Sequence, residues 1–587
     1  MSEKLKIAIC LILLPFLLQT ASAQTLPPRV QWIPQDAVIS LELSQPRVLI
    51  ELLTNEDATK AVTSLPVYKQ QESNPKFNEF VNVINFLEGA LGTDWRDAIS
   101  KLTGGGITFA VCPEDTVVLI VDAEDEQILN RLHDIILGIT RSEADNDGQP
   151  ERVASKEYLG VKAWTFNAGK EAHAIIGSRL ILSNRPEGLR SVLELRDNVA
   201  GTNLESNLTY QAAKQAAAPK DVGSAFVNLG LFMSLPNVAG LLDKQSENPL
   251  AALLFSGIIE SARNSNWLAL GLQIEESKEL SLRLTTDGKI PSQGGPAAFA
   301  LPGKAEDGAL PNLSVPRQIA AMSLYRDLYG FYSAKDDLFP QRTSGLIFFE
   351  NMMGIFFTGR DLTNEVLAET KPQVRIVVAE QKYNAAIGTP QVRLPAFAVV
   401  LGMRNPEKFS EIVEEAWQKA IGLVNFTRGQ QAMPGLIIDR PVHGDTKMTV
   451  ASFSTAGTEG KTNLDQQFNF RPTLAMPGEY LILSSTDGLA RDLIDTLSAE
   501  TENAVKPLAQ THSLVEIGGG QLASALDANR ETMIQSDMVK KGNTRQEAEA
   551  GIDMFITLVK FVDRVKLGID RQHGLAQAEL KVKLNLP

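Results

Sequence analysis

The chain has two cysteines in 587 residues, and one of them, Cys10, lies in its opening segment. With only Cys112 in the remainder, no intramolecular disulfide can form even in an oxidising compartment. Stability therefore has to come from buried apolar area. Histidine is scarce too. His133, His173, His443, His512 and His573 stand apart in the sequence. None has the H-E-x-x-H spacing that sets two imidazoles on one helix face, and none sits beside a carboxylate in a paired motif, so a zinc site has no support. No cofactor motif is present, and no Gly-x-Ser-x-Gly elbow occurs. Ser73-Asn74-Pro75-Lys76 has the Ser-x-x-Lys spelling, but proline there precludes the helical turn that would bring the lysine back under the serine.

Positive charge is also in short supply. Lys and Arg number 56 against 70 Asp and Glu, a formal net charge of -14. Such a surface repels phosphate backbones, which argues against nucleic acid or anionic membrane as the main partner. No apolar run reaches the roughly 20 residues needed to span a bilayer. The longest, Ile7 to Leu18, follows Lys4 and Lys6 and precedes the small-residue site Ala21-Ser22-Ala23. That is the layout of a secretory signal peptide. The expectation is a signal peptide over 1–23 and a product starting near Gln24, periplasmic or extracellular, with no transmembrane anchor after cleavage.

What the chain does have is 44% hydrophobic residues, enough for ample core in two or more domains. It also has a pattern written twice. Leu180-Ile181-Leu182-Ser183 returns as Leu481-Ile482-Leu483-Ser484, each followed by a Gly-Leu pair and an amphipathic helix. Other landmarks recur in the same order. An alternating strand at Val38–Leu43 answers to Gln318–Leu324, and Arg96-Asp97 to Arg360-Asp361. The buried strand Val117–Val121 answers to Phe397–Leu401, and Ser224 onward to Ser513 onward. Each half closes on two alternating apolar runs, Leu268–Ile274 with Leu280–Leu284, and Val565–Ile569 with Leu580–Leu586.

Strands thus come in hairpin-like clusters with helices between, an α+β pattern. Two tandem similar domains are expected, over 24–286 and 317–587, each a mainly antiparallel sheet with helices packed on one face. The Pro- and Gly-rich stretch 287–316 reads as a linker, or a strap along the surface.

Few segments suggest chemistry. Glu143, Asp145, Asp147 and Gly148 resemble an EF-hand loop, but Ala154 stands where the bidentate Glu belongs. Gly518-Gly519-Gly520 sits where backbone N–H groups can cradle an anion, yet reads better as a tight strand-to-helix turn. Gly345 to Phe357 contains Phe348, Phe349, Met352, Met353, Phe356 and Phe357. As a helix it is apolar nearly all round, which is simplest as a buried core helix. The functional reading is a docking face for an envelope protein or an apolar ligand, since Met-rich surfaces adapt to varied shapes.

Phe348-Phe349-Glu350-Asn351-Met352-Met353-Gly354, Gly359-Arg360-Asp361-Leu362, Leu394-Pro395-Ala396-Phe397-Ala398 and Ser484-Ser485-Thr486-Asp487-Gly488-Leu489-Ala490-Arg491 resemble exported hypothetical proteins of planctomycete-type bacteria. These are similar in turn to a domain of unknown function found in secreted bacterial proteins. The resemblance implies export and supplies no catalytic residues. The expected role is a non-enzymatic binding or structural protein of the cell envelope. The alternative is an extracytoplasmic hydrolase whose site is assembled from distant residues.

Overall fold

The computed structural model describes residues 26–587 except 66–67, 69–71, 73, 167–168, 217–220, 236–247, 276–277, 289–295, 300, 340–343, 384–387 and 587. The expected signal peptide and part of the expected linker lie outside the described residues.

Alternating sequence and β-branched residues build strands throughout. The first half contributes β1 (Ile39–Leu43), β2 (Gly106–Cys112), β3 (Thr116–Asp122), β4 (Ala154–Tyr158) and β5 (Val161–Phe166). It continues with β6 (Glu171–Ile176), β7 (Arg179–Ser183), β8 (Gly223–Asn228), β9 (Trp267–Glu275) and β10 (Glu279–Thr286). The second half contributes β11 (Gln318–Tyr325), β12 (Thr370–Ala379), β13 (Ala396–Met403), β14 (Leu436–Asp439), β15 (Val442–His443) and β16 (Thr446–Phe453). It ends with β17 (Thr473–Ala475), β18 (Tyr480–Ser484), β19 (Thr511–Gly518), β20 (Val562–Gln572) and β21 (Leu575–Leu584).

The spatial order in the first half is β4-β5-β6-β7-β3-β2-β1-β8-β9-β10. In the second it is β14-β16-β17-β18-β13-β12-β11-β19-β20-β21, with the short β15 also on β16. Strand for strand the two orders match. Ser183 stands opposite Val118, and Ser484 opposite Ala398, at corresponding points. The halves are not two separate sheets, however. Strand β10 pairs antiparallel with β21, Leu282 opposite Leu580, so all the strands join edge to edge. The strand pairing closes the seam between the two halves.

The helices used below are α1 (Pro75–Leu91), α2 (Trp95–Thr103), α3 (Glu126–Asn146), α4 (Pro186–Arg196), α5 (Leu208–Ala216) and α6 (Pro249–Arg263). The second half adds α7 (Ser344–Phe356), α8 (Pro406–Gln430), α9 (Asp487–Glu502) and α10 (Gly519–Asp527). They lie on both faces of the sheet, not on one. On the first face, α4 (Leu189, Val192, Leu193) and α5 (Tyr210, Ala213) bury Ala110, Ile120 and Ile181. Helix α9 buries Val377, Val400 and Ile482 in the same way. On the opposite face, α8 lays Phe409, Ile412 and Val413 over Leu401, Leu481 and Leu483. The physical reason is that both sets of alternate strand residues are apolar, so both faces need cover.

The described part of the interdomain stretch is a strap. Leu313 and Val315 are buried in the second core, and Ala309 exchanges backbone hydrogen bonds with Thr511 and Leu508. Among the described residues, no helix is long and apolar enough to cross a membrane.

Candidate functional site: an apolar sheet face

Strand register shows which side chains share the second face. Starting under β3, directly opposed residues run Val121, Ile107, Leu43, Gly223, Leu272, Leu282. The same row crosses the seam as Leu580, Leu567, Val515, Met322, Ile376, Val399 and Leu483. Only Gly223 in it lacks an apolar side chain. At its second-half end the row passes under α8. Over β1, β2, β8, β9 and β10 it borders an open recess of about 370 Å³, lined by Leu41, Leu43, Ile107, Phe109, Leu270, Leu272 and Leu282. Leu41 is 43% exposed and Leu282 39%. Two large aliphatic side chains facing water from the middle of a sheet are unusual where an antiparallel sheet normally turns polar residues outward.

Helix α7 is the second apolar surface. Its expected burial is overturned: only Leu346 is buried, against Ala252 of α6 and Phe331, Leu338 and Phe339. Phe348 (67% exposed), Phe349, Ile347 and Ile355 face outward, while Met352, Met353, Phe356 and Phe357 are half-buried. Phe357 reaches the α8 cluster, and the Phe349 ring meets Tyr332 edge-on, with centroids 6.0 Å apart. A helix this apolar has more sticky surface than its neighbours can cover.

Its counterpart in the first half is a helix that none of the sequence landmarks marked. Helix α1 turns Phe80, Val83 and Phe86 to solvent, and Phe77, Val81, Ile84 and Leu87 inward. The spacing i, i+3, i+6 was the available signal. A left-handed glycine follows each helix, Gly92 (φ 74°) directly after α1 and Gly359 (φ 79°) a turn after α7, and two residues on comes an aspartate N-cap, Asp94 and Asp361. The structural counterparts are therefore Asp94 and Asp361. Asp97, matched to Asp361 by sequence, instead binds Thr93 and Lys101.

The other candidates resolve simply. Glu143 and Asp145 are helical, inside α3, so no EF-hand-like loop forms, and among the described residues no metal-binding cluster exists. Gly519 starts α10 directly after β19, and a Cβ on it would lie 1.9 Å from the Val562 carbonyl oxygen. That close approach, not an anion, explains the glycine.

Three histidine environments emerge that spacing could not show. His133 on α3 and His173 on β6 place their Nε2 atoms 3.0 Å apart. Burial and the neighbouring imidazole hold His173 down to about 4, and burial lowers His133 as well, so both rings are neutral and share one hydrogen. His443 Nε2 meets Asp495 Oδ1 at 2.8 Å on an exposed surface. His512 is fully buried near the seam.

A cleft of about 980 Å³ gathers Asp36, Cys112, Glu114, Glu187 and Glu194 in the first half, without a histidine. Burial pushes the Cys112 thiol up to about 12, so it is no nucleophile at neutral pH. Hydrogen bonds from Tyr158 and Arg190 hold Glu194 below the usual carboxylate range.

No protein-family model matches the chain, and no curated protein sequence matches it. One solved structure with some likeness, crystal form I of TP0453, is 11% identical and covers 46% of this chain and 82% of that one, with a TM-score of 0.24. At that score the likeness decides neither fold nor function.

Proposed function

We propose that this is an exported, non-enzymatic protein of the bacterial cell envelope that holds an apolar ligand, an acyl chain, against the open sheet face. The observation that carries the reading is the apolar row through Ile107, Leu43, Leu272 and Leu282, bordering a recess of about 370 Å³. That size falls in the range of about 300–1,000 Å³ typical of small-molecule sites. Each methylene moved from water onto such a surface contributes about 0.8 kcal/mol, so a chain of several carbons binds without any polar anchor.

The alternative reading, a hydrolase, would centre on the carboxylate-lined cleft. There the thiol is protonated, and the His443–Asp495 pair lies in the other half of the chain. Nothing in that cleft pairs a nucleophile with a base.

The test is titration of the full chain with the neutral fluorophore N-phenyl-1-naphthylamine. Saturable binding is expected, weakened at least about tenfold by Leu282→Lys, which puts a charge into the recess without disturbing a buried contact. If Phe348→Ser weakens the probe and Leu282→Lys does not, the apolar site is α7. Absence of saturable binding sinks the reading.

A further inference from the structure

Helix α6 crosses the seam on the same face, and beneath it lies a second cavity of about 120 Å³, floored by β9, β10, β20 and β21. Its lining is mostly apolar (Leu268, Leu284, Ile569, Ala578), with Ser261, Thr286, His512 and Arg571 as the polar side chains on this face; the Thr286 hydroxyl already accepts from Gly288 N–H. Asp570 borders it too. However, Asp570 alternates with Ile569 and Arg571 along β20, so its carboxyl turns to the other face, toward Arg283 and Glu579.

His512 sits at an irregularity of β19, between Thr511 and Ser513, and is 1% exposed. Arg326 Nη2 donates to Ser513 Oγ at 3.1 Å, and Ser513 Oγ lies 2.6 Å from His512 Nδ1. Donation from Arg326 leaves the hydroxyl hydrogen free for Nδ1, and with it there the neutral ring's own hydrogen lies on Nε2. That N–H has no partner, and neither has Ser261 Oγ.

The charge nearby is equally uncompensated. Among the described residues, Arg179, Arg326 and Arg375 are the three largest fully buried side chains. Arg179 has Asp122 at 2.6 Å and Arg375 has Glu500 at 2.7 Å. Arg326 has only neutral acceptors, the carbonyls of Tyr325, His512 and Leu254 and the Ser513 hydroxyl. A buried guanidinium without a carboxylate is costly, and burial alone pulls it down to about 10. Arg571, half-buried at the cavity, forms no ion pair among the described residues either.

We propose that this cavity takes the carboxylate of an apolar acid, bound by His512 Nε2–H and Ser261 Oγ–H, with Arg571 beside it and Arg326 supplying positive potential from behind His512. The acid's alkyl part rests on Leu268, Leu284, Ile569 and Ala578. Much of the wall is apolar and offers water no partner, whereas it matches an alkyl chain. An alcohol satisfies the donors but leaves Arg326 uncompensated. The site is separate from the open recess, and the inference does not rest on the acyl-chain reading.

Isothermal titration of the full chain with hexanoate, hexan-1-ol and decanoate tests it. Hexanoate is expected to bind saturably and at least about tenfold more tightly than hexan-1-ol. Ser261→Ala and Arg571→Gln should each weaken it about tenfold, whereas Leu282→Lys should leave the preference for hexanoate over hexan-1-ol unchanged. Decanoate distinguishes sources: tighter binding than hexanoate marks the head of a longer fatty acid, equal binding a free short acid, and both keep the proposal. Three results overturn it: no saturable hexanoate binding, hexan-1-ol binding equally well, or both variants retaining full affinity.

Discussion

His173 carries the clearest pH signature in the molecule. Its folded value of about 4 lies well below the roughly 6.5 of an unfolded imidazole. Between those two values the unfolded chain takes up a proton that the folded one refuses, so stability falls as pH drops through that window and is fully present above it. His512, held to about 3, adds to the same trend. Thermal midpoints measured from about pH 7 to about pH 5 should therefore decline less in His173→Phe than in the unaltered protein. Equal declines would show that the pair is not buried and neutral. None of this was legible in the sequence, where His133 and His173 are 40 residues apart and only the packing of α3 across β6 joins them.

At the scale of single elements, α7 separates packing from exposure within one helix. Leu346→Ala, at a 4% exposed position, should cost about 2–5 kcal/mol in urea unfolding. Phe348→Ser should stay within about 0.5 kcal/mol. Equal losses would mean that α7 is a core helix after all. The sequence showed that this helix is apolar and read most simply as buried, because periodicity cannot separate two apolar faces. For α1 it was weaker still, since Asn78, Asn82 and Asn85 dilute the stripe of Phe80, Val83 and Phe86. Strand identity was the most legible part. Leu180–Ser183 and Leu481–Ser484 lie at corresponding places, and the alternating closing runs are the hairpins β9–β10 and β20–β21.

In the whole molecule, the two halves follow the same strand order, and the β10–β21 pairing makes them one sheet. Alternation within a strand says which residues share a face but not which strand from 300 residues away completes an edge, so the seam was not legible. It has a direct consequence. A chain ending after Thr286 leaves β10 as an unprotected edge bearing Leu280, Leu282 and Leu284, and such edges pair with one another. Sedimentation should find that half-chain as dimers or larger species, and a monodisperse monomer would contradict the continuous sheet.

The most direct check on the open face is to locate a bound chain chemically. An acyl chain carrying a terminal diazirine, photolysed with the intact protein and mapped by peptide mass spectrometry, should leave its adducts on the strands holding Leu41, Leu270 and Leu282. Adducts confined to α1 or α7, or none above an unrelated control protein, would contradict the assignment of that face as the binding surface.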